Sequence, residues 1–284
     1  MTPRPYVLHA LSPLHAGVGQ AAELIDLPIA RLKGTGIPFV PGSSIKGVLR
    51  DACSGSGPDS EEVEAVFGPD HKNADKHAGA LTCTDARLLA LPVRSFRGTF
   101  AYVTSPLLLT LAARDVTDAP PIPRVNANTT IAAAELVDGG KIYLEDLDLS
   151  APSGQPGHSA YQAWQDRLAP VFGTMPAEQE IFRRRFAVVD DETMTFLWET
   201  ATQLDQRVRI KPDTRTVAKG ALWLEESLPP ETFLIGLLLA ESSRHPTKHM
   251  SPDKVLDVAL KAARVLQFGG KSTVGRGRCR MVPL

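Results

Sequence analysis

Cysteine, long apolar runs and net charge are all scarce in this chain of 284 residues. Cys53, Cys83 and Cys279 are the only cysteines. They stand far apart and are odd in number, which excludes a disulfide framework and a zinc knuckle and leaves them as small core residues. The longest strongly apolar stretch runs from Phe233 to Ala240, far short of the roughly 18 residues that a membrane helix needs. The stretch from Met1 to Gly17 has no basic region followed by a long apolar core, so it is not a secretory signal. These absences predict a cytoplasmic protein with no membrane partner. The formal net charge is −1. Any surface for a polyanion must therefore come from local segregation of charge rather than from the field of the whole molecule.

Such segregation is present. After Asp257 no acidic residue remains, while Lys261, Arg264, Lys271, Arg276, Arg278 and Arg280 all follow it. Arg207, Arg209, Lys211, Arg215 and Lys219 form a second basic group opposed only by Asp213, and Arg183, Arg184 and Arg185 form a third. Hydrophobic residues at 43% and charged residues at 22% are an ordinary globular mixture, enough for a sizeable core. One domain spanning residues 1–284 is the expectation.

The hydrophobic pattern places mixed elements along the chain. Tyr6 to Leu14 reads as a strand ending at the turn Gly17-Val18-Gly19, and Ile25 to Leu32 as a loop or edge segment because of Pro28. Ile45, Val48, Leu49 and Ala52 fall on one helical face, with Ser43 or Ser44 as the cap. That helix stops in Cys53-Ser54-Gly55-Ser56-Gly57-Pro58. Further helices are expected at 61–67, 105–112, around Tyr161 and Trp164, and at 176–185. Strands are expected at 80–89, 100–103, 141–149, 186–189 and 232–240. Ser251-Pro252-Asp253 opens a helix whose face is Leu256, Ala259, Leu260, Ala263 and Leu266 and which Gly269-Gly270 stops. A basic strand closes the chain. Two extended arms, 206–210 and 221–225, flank a basic tip and predict a projecting hairpin. The order fits an α+β fold with antiparallel pairing and helices on one face of the sheet.

Two stretches suit phosphate. Pro41 to Arg50 carries a loop into a helix N-terminus, where free amides attract anions. Lys46 and Arg50 share the face away from Ile45 and Leu49. An ordinary capped helix with solvated cations fits the same spacing. Gly269 to Arg278 is glycine-rich and basic. A Walker A reading through Gly270-Lys271-Ser272 fails, because Val265 stands where the first glycine belongs and the helix precedes the loop. Glycines interleaved with Arg and Lys suit close approach of backbone to phosphate, and a plain structural turn is the alternative. Signals for catalysis are sparse: there is no Gly-x-Ser-x-Gly and no His-Glu-x-x-His. His245 and His249 read as surface residues. Asp26 is an acid in an apolar, proline-containing loop, and such an acid is paired or functional. His15 precedes it in a loop of its own.

Taken in order, these blocks resemble the RAMP superfamily of CRISPR-associated proteins, and within it the backbone subunits of type III-B (Cmr) effector complexes. The resemblance rests on Leu11-Ser12-Pro13-Leu14-His15-Ala16-Gly17-Val18-Gly19, on Ile25-Asp26-Leu27-Pro28-Ile29, and on Pro38 through Arg50. It continues at Phe67-Gly68, Asp85 to Leu89, Pro92 to Ser95, Tyr102 to Pro106, Gly220 to Glu226 and Gly269 to Arg278. It spans about half the chain and leaves the middle unmatched. The resemblance implies an RRM-like (ferredoxin-like) palm with a thumb hairpin near 206–225 and an insertion near 112–205. It implies copies stacked head to tail on a guide crRNA, with other type III subunits as partners and a complementary target RNA cut at regular intervals. Ser43, Ser44, Lys46, Arg50, Arg207, Arg209, Lys271, Ser272, Arg276 and Arg278 would contact RNA. Asp26 matches the family's essential acid for cleavage dependent on Mg²⁺ or Mn²⁺ and would be the metal ligand. His15, Glu225 and Glu226 match residues of the same site. A non-catalytic RAMP subunit and a guide-processing ribonuclease of the same superfamily are the alternatives.

Overall fold

The computed structural model describes the whole chain except residues 18, 20–24, 56–58, 71, 72, 74, 153, 155, 156, 174, 262 and 264, and the side chains of residues 219 and 220. Val18 of the expected turn, residues 56–58 of the expected helix stop, Arg264 and the side chain of Lys219 thus lie outside the described residues.

The first half of the chain runs β1 (Thr2–Ala10), β2 (Phe39–Val40), α1 (Gly42–Gly55), α2 (Ser60–Phe67), β3 (Leu81–Cys83), β4 (Ala86–Ser95), β5 (Thr99–Thr104) and α3 (Pro106–Ala113). There follow β6 (Thr130–Ala132), β7 (Lys141–Leu144), β8 (Leu147–Ser150), α4 (His158–Leu168), α5 (Pro176–Arg183), β9 (Phe186–Val189) and α6 (Asp191–Thr200). The last part holds β10 (Gln203–Ile210), β11 (Val217–Ser227), β12 (Phe233–Ala240), α7 (Pro252–Lys261), β13 (Leu266–Gln267) and β14 (Arg278–Pro283).

The main sheet has the order β13-β14-β1-β12-β4-β5-β9-β6, with β2, β3, β7 and β8 paired at its margins. Within that order every pairing is antiparallel except β5 with β9. The central pair is β1 with β12, where Thr2 faces Ala240 and His9 faces Phe233. The fold is α+β, as the order of elements predicts, but helices cover both faces of the sheet rather than one. Tyr6, Leu8 and Ala10 of β1 join a core that holds Ile45, Leu49, Val66, Val255, Leu256 and Ala259 from α1, α2 and α7. Val7, on the opposite face, joins a second core with Tyr161, Trp164, Leu168, Phe182 and Phe186. Residues from the unmatched middle of the sequence build that second layer. A strand covered on both faces reads as an apolar run, which is the pattern of β9 and of Tyr6 to Leu8 in β1.

Several local expectations change. Helix α1 begins at Gly42, whose amide donates to Asp85 Oδ1 at 2.8 Å. Neither Ser43 nor Ser44 is therefore the cap. A Cβ on Gly42 would lie 2.3 Å from the Cys83 carbonyl oxygen, so glycine is needed where this helix start packs on the sheet. The single strand expected at 141–149 is the hairpin β7–β8, turning at Glu145 with φ 48°. The last helix ends at Lys261, and Leu266 is buried in β13 opposite Cys279 instead of extending the helical face. Helix α6, capped by Asp190 accepting from Thr193 N–H, was not anticipated.

The projecting hairpin is a separate two-stranded ladder of β10 and β11. Its register sets Val208 opposite Leu222, Ile210 opposite Val217, Arg207 opposite Trp223 and Asp205 opposite Glu225. Leu204, Val208, Ile210, Val217 and Leu222 are all exposed, so the hairpin carries apolar side chains into solvent.

Candidate functional site

The base of the hairpin gathers segments about 200 residues apart in sequence. As β11 returns toward the sheet it is met by the loop around Leu27 through a parallel bridge from Leu27 to Glu225. Leu27 N–H donates to the Leu224 carbonyl at 3.1 Å, and Glu226 N–H donates to the Leu27 carbonyl at 3.0 Å. Leu14 forms an antiparallel bridge with Leu228. These contacts bring Asp26, His15, Glu225 and Glu226 to one place.

The four side chains sit in different surroundings. Asp26 is exposed, and its Oδ2 accepts from Leu224 N–H at 2.8 Å. His15 Nδ1 lies 2.6 Å from the Glu226 carbonyl oxygen. A carbonyl only accepts, so Nδ1 donates, and in the neutral ring Nε2 carries the lone pair. Glu225 is fully buried and meets the ammonium of Lys271 and, at 3.5 Å, the guanidinium of Arg207. Burial alone would raise its pKa, but the hydrogen bond and charge of Lys271, with Arg207 and His15, hold the carboxyl below its ordinary range. Glu226, also buried, accepts from Ile29 N–H at 3.0 Å and from Arg31 at 2.6 Å. Arg31 was not among the expected site residues. Its signal is an arginine closing the apolar loop that contains Asp26.

The expected RNA-contacting residues divide by what already holds them. Ser43, Ser44, Arg209, Ser272 and Arg278 are exposed, and Lys46 is half-buried. Arg50 donates to the Pro69 carbonyl at 3.2 Å. Lys271 and Arg207 face Glu225. Arg276 pairs with Asp205 at 2.7 Å and reaches Ser227 Oγ at 3.3 Å, clamping the glycine-rich loop to the hairpin. Asp205 is pushed up by burial, yet Arg276, Gln203 and Arg207 together hold it below its ordinary range. In the third basic group Arg183 pairs with Asp166, and Arg184 with Glu180 and Glu135.

A groove of about 340 Å³ joins these parts, with His15 and Leu27 on one side, Ser44 of α1 on another, and Phe268, Gly269 and Gly270 on a third. Gly277, at φ 73°, would place a Cβ 1.9 Å from the Phe268 carbonyl oxygen. Gly269, at φ 72°, would place one 2.5 Å from the His15 carbonyl oxygen. These two glycines serve the protein's own packing, whereas Gly270 meets nothing within 4 Å and lies open.

His245 is buried, against the expectation of a surface residue. Among the described residues it joins Glu64 and His77 in a group whose ligand-type atoms lie within 4.8 Å of one another. Thr247 and Lys248 N–H groups donate to its Nδ1 at 3.3 and 3.1 Å, which puts the neutral ring's proton on Nε2, the nitrogen 3.9 Å from Glu64. That tautomer suits a hydrogen-bonded cluster, not a ligand set.

The chain belongs to the RAMP superfamily, whose family model matches residues 7–280. It is 34% identical over 277 residues to the CRISPR system Cmr endoribonuclease Cmr4 of Pyrococcus furiosus, covering 95% of this chain and 92% of that protein. The CRISPR system CMR subunit Cmr4 of Saccharolobus solfataricus is 22% identical over 298 residues, covering 96% of this chain and 94% of that one. The solved structure of oligomeric Cmr4 from Pyrococcus furiosus superposes with TM-score 0.76 at 26% identity, covering 100% of this chain and 99% of that one. A chain of the type III-B Cmr-beta complex bound to cognate target RNA shares the fold, with TM-score 0.76 at 22% identity and coverage of 100% and 97%.

Proposed function

We propose that this chain is a guide-crRNA-binding backbone subunit of a type III CRISPR ribonucleoprotein and that it cleaves complementary target RNA beside its hairpin. The observation that carries the reading is the joining of the Asp26 loop to the hairpin base through Leu224, Leu27 and Glu226. A wedge and a cutting site built as one unit place a cut at a fixed offset from each wedge. The apolar side chains of the hairpin suit insertion between base planes. Ser43, Ser44, Ser272 and Arg278 are exposed, which makes them accessible to a phosphate chain.

The chemistry that fits is attack of a ribose 2′-OH on the adjacent phosphorus. His15 Nε2 takes the 2′-OH proton, the 2′-oxygen bonds to phosphorus, and the bond to the 5′-oxygen breaks. The products are a 2′,3′-cyclic phosphate and a 5′-hydroxyl that gains its proton from water. Asp26 offers the exposed carboxylate of the site, a hard oxygen donor suited to Mg²⁺ or Mn²⁺. Phosphate and water would supply the remaining ligands of such an ion, and what it would supply is neutralisation of charge on the phosphate. Glu225 and Glu226 already have cationic partners. The head-to-tail stacking of copies on the guide, the other type III subunits and a cytoplasmic setting belong to the same reading.

The test is reconstitution with guide RNA, partner subunits and end-labelled complementary RNA. Several regularly spaced cuts that need Mg²⁺ or Mn²⁺ and vanish with chelator are expected. Target RNA left intact while guide precursor is cut would contradict the reading and indicate a processing nuclease.

A further inference from the structure

Glu226 organises the hairpin base without facing the groove. Its main chain contributes twice, donating from N–H to the Leu27 carbonyl at 3.0 Å and accepting His15 Nδ1 at its carbonyl at 2.6 Å. Its buried side chain contributes twice more, one oxygen to Ile29 N–H at 3.0 Å and the other to Arg31 at 2.6 Å. Arg31 extends the linkage, since a second guanidinium nitrogen donates to the carbonyl of Trp198 at the end of α6 at 3.1 Å. Asp26 and the residues that follow it are thus fixed. Leu224 N–H holds the aspartate itself, and the Glu226–Arg31 pair holds the following residues to β11 and α6.

We infer that the Glu226 and Arg31 side chains are positioning groups for cleavage, setting the place of Asp26, and that Glu226 is not itself a catalytic acid. The inference rests on the nuclease reading above and deepens it. Both carboxylate oxygens of Glu226 already accept hydrogen bonds, and the side chain is 2% exposed, so neither is free for a metal ion or a ribose hydroxyl. Arg31 is 26% exposed and is absent from the lining of the groove that holds His15. A carboxylate that fixes a loop is needed for geometry, so its loss lowers the rate of the chemical step more than it weakens RNA binding, which rests on a long phosphate interface.

The experiment uses the assembled complex with Glu226→Gln, Arg31→Met and Arg31→Lys in parallel with Asp26→Ala. Single-turnover cleavage at saturating target, target Kd and the Mn²⁺ concentration giving half the maximal rate are measured for each. Glu226→Gln keeps an oxygen for Ile29 N–H and frees only Arg31, which water can reach, so it tests the pair without leaving a buried charge alone. Glu226→Gln and Arg31→Met are expected to slow cleavage by about tenfold or more, to leave target Kd within about twofold and to raise the half-saturating Mn²⁺ concentration. Arg31→Lys is expected to restore most of the rate, because its ammonium can still meet Glu226. If Asp26→Ala is inactive while Glu226→Gln and Arg31→Met cleave as wild type, the positioning role is overturned and the nuclease reading stands. Equal losses in rate and binding, with no rescue by Arg31→Lys, would reduce the pair to a folding element and also overturn it. Full cleavage by Asp26→Ala would instead remove the nuclease reading on which the inference rests.

Discussion

The acids at the hairpin base show how far residue type falls short of residue role. Asp26, Glu225 and Glu226 all read from sequence as site carboxylates, but Asp26 alone is exposed. The partners that distinguish the other two lie 46 and 195 residues away, beyond any local pattern. Glu225 and Asp205 are both held below their ordinary pKa by cations of the hairpin and the glycine-rich loop. The unfolded chain therefore binds their protons more readily than the folded one, and stability rises with pH through that window. Their contribution is complete above the ordinary carboxylate range of about 4 and is lost as pH falls through the lower folded values. Denaturant unfolding should show near-constant stability from about pH 7 to 5 and a decline below it, with Glu225→Gln flattening the decline. A decline of equal steepness in that variant would place the acid sensitivity elsewhere.

At the level of elements, legibility followed the range of the interactions. The buried face of α1 was plain in the spacing of Ile45 and Leu49, whereas its start depends on Asp85, 43 residues from Gly42. The arms of the hairpin were readable because each is a local run, and the turn at Glu145 was missed because 141–149 alternates without a glycine to mark it. The buried strand β9 was legible as the apolar run 186–189, whereas α6, whose buried face is only Thr193, Met194, Leu197 and Trp198, was not. The glycine-rich loop offers a sharp test of whether its glycines serve packing or RNA. Gly277→Ala forces a Cβ to within 1.9 Å of the Phe268 carbonyl at φ 73°, and should cost about 2–4 kcal/mol in denaturant unfolding. Gly270→Ala, with nothing within 4 Å, should stay within about 0.5 kcal/mol of wild type. If Gly277→Ala unfolds like wild type, the close packing of the loop described above is wrong.

Across the whole molecule, a net charge of −1 conceals a division of labour among the cations. Many basic residues that stand out in sequence are bound to acids: Arg276 to Asp205, Lys271 to Glu225, Arg183 to Asp166. These basic residues therefore tie segments of the fold to one another. The middle of the chain fills the second face of the sheet with Trp164, Phe182 and Phe186. The first face carries α1, beside which the His15 groove lies. In the reading proposed above the hairpin base is a cutting site that RNA completes, and Asp26 is its exposed acid. The direct measurement is cleavage of end-labelled target RNA by complexes assembled with Asp26→Ala, in Mn²⁺, alongside target binding. Target Kd within about twofold of wild type and loss of the regularly spaced cuts by about a hundredfold or more are the predicted result. Regularly spaced cuts at the wild-type rate with binding unchanged would contradict it and move the cleavage chemistry away from the hairpin base.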